Sequence, residues 1–135
     1  MKINHIAIAV NDMTAGTEFW HDIMGLPKGK AYREEGQGVD VAFFDSGEAS
    51  VELISPLDND SGVAKYLAKK GPGMHHLCFE VDDIRSTLAE LSAKGVQLID
   101  EEPRLNKKGI EVAFVHPKST GGVLVEFYQL PTKKI

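Results

Sequence analysis

The chain has 135 residues, 42% apolar and 26% charged, with 20 acidic against 15 basic side chains and a net charge of −5. That balance excludes a disordered chain, which lacks the apolar surface to offset chain entropy. It also excludes a general nucleic-acid binder, which needs a basic surface to displace phosphate counterions, and it counts against an anionic membrane as partner.

A single cysteine, Cys78, allows no intrachain disulfide and no cysteine-based metal site, and it suits a reducing compartment. The apolar run Ile6 to Val10 is too short for a leader core or a membrane helix. The expected setting is cytoplasmic. Length predicts one domain over residues 1–135.

The first predicted element is a strand over residues 4–10 that carries His5. Asp12 follows as a helix cap, because a carboxylate accepts the orphan amide hydrogens of a first turn. Met13, Trp20, Ile23 and Met24 sketch the apolar face of the next helix, and Gly25 stops it. Two runs then read as strands, Val39 to Phe44 and Val51 to Ile54, with a turn at Asp45-Ser46-Gly47. Ser61 to Lys70 reads as a short connecting helix with Val63, Tyr66 and Leu67 on one side, and residues 70–73 form a link.

The order then repeats. A strand over 75–81 carries His76, Asp83 caps a helix with Ile84, Leu88 and Leu91 on one face, and Gly95 ends it. Glu111 to Val115 and Val123 to Tyr128 read as strands, separated by turn residues at His116-Pro117 and Gly121-Gly122. His5 to Asp12 aligns with His76 to Asp83 at an offset of 71, as does Val41 to Phe44 with Val112 to Val115. Val51-Glu52-Leu53 aligns with Val125-Glu126-Phe127 at an offset of 74. The pattern is βαβββ twice: module 1 over about 1–57, a connection over about 58–73, module 2 over about 74–135.

The chemistry lies in what recurs. Each module places a histidine in register on its first strand and a glutamate in register inside an apolar strand. A lone strand histidine is ordinarily a core or edge residue, and a lone glutamate is ordinarily solvated. Both types recurring in register point instead to a common partner, since an unpaired buried carboxylate is costly. Imidazole with carboxylate suits zinc, cobalt, nickel or iron. A pseudo-twofold axis between the modules lets His5, Glu52, His76 and Glu126 converge on one such ion. His75 points to the other face of its strand, and Cys78 reads as a small buried hydrophobe. His21 and His116 read as exposed or lightly structural, and Trp20 and the phenylalanines as core.

Five segments carry a family resemblance: Asn4-His5-Ile6-Ala7; Gln37-Gly38-Val39; Val51 to Leu57; Gly73 to Asp82; and His116-Pro117-Lys118 followed by Gly122 to Glu126. Through them the chain resembles the vicinal oxygen chelate superfamily and, within it, the methylmalonyl-CoA epimerases. The resemblance implies an α+β fold in which two tandem βαβββ modules form a pseudo-twofold, curved mixed sheet around a metal site. It implies a divalent cation, Co2+ foremost and Zn2+, Ni2+ or Mn2+ otherwise, held by His5, Glu52, His76 and Glu126. It implies an acyl-CoA substrate, a homodimer, and an isomerase that removes and returns an α-proton through an enolate.

Glu126 and Glu52 are then the expected bases, one for each face of the substrate carbon. Some epimerases carry an acid/base glutamate on the strand after the Gln-Gly-Val segment; the aligned residue here is Val41, and neighbouring Asp40 should point elsewhere. Lys28, Lys30, Arg33, Lys107, Lys108 and Lys118 are the candidate cations for the CoA phosphates. The alternatives are a glyoxalase I-like lactoylglutathione lyase, a ring-cleaving dioxygenase, and a non-catalytic small-molecule binder on the same fold. The fourth protein ligand argues against the dioxygenase, and the complete ligand set argues against the binder.

Overall fold

The computed structural model describes residues 1–131; the last four residues of module 2, 132–135, lie outside them. The chain divides into two compact units. One is His5–His75; the other is Met1–Asn4 together with the residues from His76 on.

The first unit begins in strand β1 (Lys2–Ala9). Asp12 caps helix α1 (Met13–Thr17), its carboxylate accepting from the amides of Thr14 and Ala15. Strands β2 (Lys28–Glu34), β3 (Val39–Asp45) and β4 (Ser50–Pro56) follow, and then helix α2 (Gly62–Lys70), capped by Ser61. The strand order is β2-β3-β4-β1, with β1 parallel to β4 and the other pairs antiparallel.

The second unit repeats that plan. Strand β5 (Gly73–Glu80) leads to helix α3 (Ile84–Ala93), capped by Asp83, and then to β6 (Arg104–Leu105), β7 (Glu111–Val115) and β8 (Val125–Gln129). The order is β5-β8-β7-β6, again with the first and last strands parallel and the rest antiparallel. Each module is thus βαβββ with one connectivity, as the repeat predicts. The fourth strand that the pattern demands in each module is β2 or β6, second in chain order. The charged run Lys28 to Glu34 and the two-residue β6 lack the apolar alternation that marks a strand in sequence.

Each sheet has two faces with different duties. In the first unit the helix side gathers Ala42, Phe44 and Leu53 under Met13 and Trp20. Gly16 permits this packing, because a Cβ there would fall 2.8 Å from Leu53 Cδ1. The other face holds Ala9, Val39, Val41 and Ile54, with Val63 of α2 against them. In the second unit Ile84 and Leu88 pack on Ala113, Val115 and Phe127.

The first helix departs from expectation. After Thr17 the chain widens into a π-helix over Glu18–Ile23, where Met24 N–H donates to the Phe19 carbonyl. Widening the turn rotates the following residues off the helical face. Trp20 still packs on the core, but Ile23 and Met24 are 68% and 53% exposed, so they do not belong to the apolar face. Phe19 is also exposed, and the reading of all phenylalanines as core fails there. No helix among the described residues is long and apolar enough to cross a membrane.

Candidate functional site

Strand alternation places His5, Ala7 and Ala9 on one buried face of β1. In the parallel β1–β4 ladder Ala7 is the partner of Glu52, so the carboxylate stands one step along from the histidine on the same face. The second unit builds the same arrangement: Cys78, two residues after His76, is the partner of Glu126 across β5–β8. A two-residue offset in parallel strands brings side chains of one face together, and here it does so in both units.

His5 Nε2 lies 3.9 Å from Glu52 Oε1, beyond hydrogen-bond reach. His76 Nε2 lies 3.1 Å from Glu126 Oε1, a close approach that is not aligned as a hydrogen bond. All four residues are buried: His5 is 0% exposed, Glu52 6%, His76 7% and Glu126 6%. Removing a carboxylate from water to this degree costs several kcal/mol unless opposite charge or donors compensate.

The donor set fits a divalent metal. Two ligand atoms held about 2.1 Å from one cation lie roughly 3.0–4.2 Å from each other, a range that contains both His–Glu separations. Imidazole nitrogen and carboxylate oxygen are ligands such ions share. A third carboxylate on the His76 face, Glu80, is already engaged: Asn4 Nδ2 donates to it at 2.7 Å, and Lys2 Nζ lies 3.6 Å away.

A pair of partners escaped the sequence reading. Phe43 is the register partner of Glu52 across β3–β4, and its ring meets His5 edge to face at 5.6 Å and 83°. Phe114 is the register partner of Glu126 across β7–β8 and meets His76 at 5.7 Å and 85°. The two phenylalanines share the offset of 71 that relates the histidines, which was the available signal.

The other named residues take structural places. His75 packs against the Tyr66 ring at 4.8 Å, as its opposite-face reading implies. Tyr66 in turn donates to the Met74 carbonyl at 2.6 Å. His21 Nδ1 lies 2.7 Å from the Leu26 carbonyl, and His116 Nδ1 accepts from the Lys118 amide. Cys78 is fully buried. Val41 is buried in the apolar cluster with Ala9 and Ile54, and Asp40 turns to the opposite face, where Arg33 approaches it at 3.4 Å.

Among the cations, Lys28 and Arg33 border a groove of about 460 Å³ between α1 and the β2–β3 hairpin, with Ala42 and Phe44 in its wall. Those two wall side chains face away from Glu52, because Glu52 pairs with Phe43 between them. Lys30, Lys107, Lys108 and Lys118 are exposed.

Comparison with known proteins places these features in context. The model of the glyoxalase/bleomycin resistance protein/dioxygenase superfamily matches residues 4–114. The mitochondrial methylmalonyl-CoA epimerase of Homo sapiens is 40% identical over 129 residues, spanning 95% of this chain and 73% of its own. The ethylmalonyl-CoA/methylmalonyl-CoA epimerase of Cereibacter sphaeroides is 35% identical, over 96% of this chain and 98% of its own. A solved structure of a Streptomyces coelicolor methylmalonyl-CoA epimerase variant in complex with 2-nitronate-propionyl-CoA superposes with a TM-score of 0.89. It is 35% identical and covers 98% of this chain and 99% of that one.

Proposed function

Because the chain belongs to the glyoxalase/bleomycin resistance protein/dioxygenase superfamily, in its methylmalonyl-CoA epimerase branch, we propose that it interconverts (R)- and (S)-methylmalonyl-CoA. The observation that carries this reading is the likeness to epimerases along nearly the whole chain, joined to a buried His–Glu pair repeated in both modules. The substrate is a CoA thioester.

The reacting carbon lies between a thioester carbonyl and a carboxylate. Inversion requires that its proton leave from one face and return to the other, and two bases, one per face, are the simplest arrangement. Glu126 is the base for one face and Glu52 for the other. Both sit in strand ladders rather than loops, so their carboxylates need little reordering before a proton moves. Val41, at the position where some epimerases have a glutamate, carries no proton.

His5, Glu52, His76 and Glu126 would hold a divalent cation, Co2+ foremost. When bound, such an ion supplies Lewis-acid stabilisation of the negative charge that develops on the substrate oxygens. The burial of all four side chains excludes water and strengthens that electrostatic effect. The reading includes a homodimer in the cytoplasm, carried by the family resemblance and the lone cysteine.

The test is turnover of (S)-methylmalonyl-CoA beside the hemithioacetal of methylglyoxal and glutathione. Epimerisation with no thioester formed from the hemithioacetal supports the proposal. The reverse result replaces it with a lactoylglutathione lyase.

A further inference from the structure

We propose that Phe43 and Phe114 are positioning residues that hold the rings of His5 and His76 in the orientation needed to ligate the metal, an inference that rests on the metal reading above. Imidazole turns about a broad, nearly two-fold torsion, so backbone placement alone does not fix which ring edge it presents. An aromatic neighbour meeting it edge to face selects one plane, because the positive edge of one ring seeks the negative face of the other. Both histidines have such a neighbour, at 5.6 Å and 83° in one unit and at 5.7 Å and 85° in the other.

The repeat supports a shared role for the two rings beside their packing. Along β3 and β7 the adjacent position on the helix side changes from Phe44 to Val115, and along β4 and β8 the position after the glutamate changes from Leu53 to Phe127. Those residues fill core space, and the two modules fill it differently. Histidine, glutamate and phenylalanine are held in common on the other face, as is the valine two residues before the phenylalanine, Val41 and Val112. In each unit the phenylalanine sits directly across the ladder from the carboxylate. The units differ behind that ring: Tyr32 stacks on Phe43 at 6.4 Å and 27°.

The experiment is Co2+ titration of the full chain, read by visible absorption and by competition with a chelator. The variants are Phe43→Leu, Phe114→Leu, Phe43→Tyr and Phe114→Tyr. We expect each leucine variant to bind Co2+ about tenfold more weakly, with an altered absorption band. Each tyrosine variant, which keeps the ring, should return to wild-type affinity. Where a leucine variant does not fold, the methionine variant at that position is measured in its place.

Leucine variants with wild-type affinity and spectrum overturn the proposal. So do tyrosine variants as weak as the leucine ones, because the loss would then be one of fit. Failure of the unaltered chain to bind Co2+ overturns the metal reading itself, and that is seen before any variant is compared.

Discussion

Glu126 Oε1 lies 3.1 Å from His76 Nε2, within a strand whose next residue, Phe127, is sealed into the opposite face of the sheet. The carboxylate therefore has little freedom to swing away from the imidazole. Glu126→Gln keeps the shape and an oxygen donor but cannot accept a proton. It should fold normally and lose about 10²–10⁴-fold in kcat. Steady-state assay with metal analysis checks this; turnover near wild type with metal bound would remove Glu126 as a base.

Glu52 offers a sharper stereochemical test. With one base removed, a proton can still leave and return on the remaining face. Glu52→Gln should therefore exchange the α-hydrogen of one stereoisomer with solvent while interconversion falls by about 10²-fold or more. Mass spectrometry in heavy water with chiral analysis of the product reads both quantities. Unchanged interconversion would show that Glu52 moves no proton.

The position of Val41 yields a stability prediction. It is 6% exposed, among Ala9, Val39, Ile54 and Val63. Val41→Glu should destabilise the fold by about 2–4 kcal/mol near neutral pH, because a carboxyl there must be buried charged or held neutral. Burial raises the folded-state pKa of the introduced carboxyl above its unfolded value of about 4.3. The unfolded chain then gives up its proton first as pH rises. The stability deficit is therefore smallest below about pH 4.3 and grows as pH climbs toward the folded-state pKa. Urea unfolding at several pH values checks it, and a deficit that shrinks with rising pH would contradict it.

Gly38 serves the fold rather than the chemistry. Its φ of +68° favours glycine, and a Cβ there would lie 3.0 Å from Ser61 Cβ at the start of α2. Gly38→Ala should cost about 1–2 kcal/mol, combining left-handed strain with that contact. Gly36→Ala, two residues away without a positive φ, should change stability by less than about 0.5 kcal/mol. Thermal or urea unfolding of the two variants distinguishes them.

The histidines, the glutamates and the βαβββ order were legible in the sequence because they recur. Repetition in register lifts a residue type above the background of ordinary core histidines and solvated carboxylates. Asp12 and Asp83 were legible because a cap is a local hydrogen-bonding event written into one side chain. What was not legible depends on partners far along the chain. Strand β2 is charged and exposed, so its pairing with β3 leaves no alternating pattern to read. The π-helical turn that exposes Ile23 and Met24 is a matter of helix register, which hydrophobic periodicity does not report. Phe43 and Phe114 were visible as aligned residues, but a phenylalanine in a strand ordinarily means core. Only the edge-on contacts with His5 and His76 gave them a different meaning.

The most direct test is α-hydrogen exchange of methylmalonyl-CoA in heavy water, followed with and without a metal chelator. The account predicts deuterium at the α-carbon of both stereoisomers, loss of that exchange on chelation, and its return when Co2+ is restored. No exchange by the metal-loaded protein, or exchange indifferent to the chelator, would contradict it.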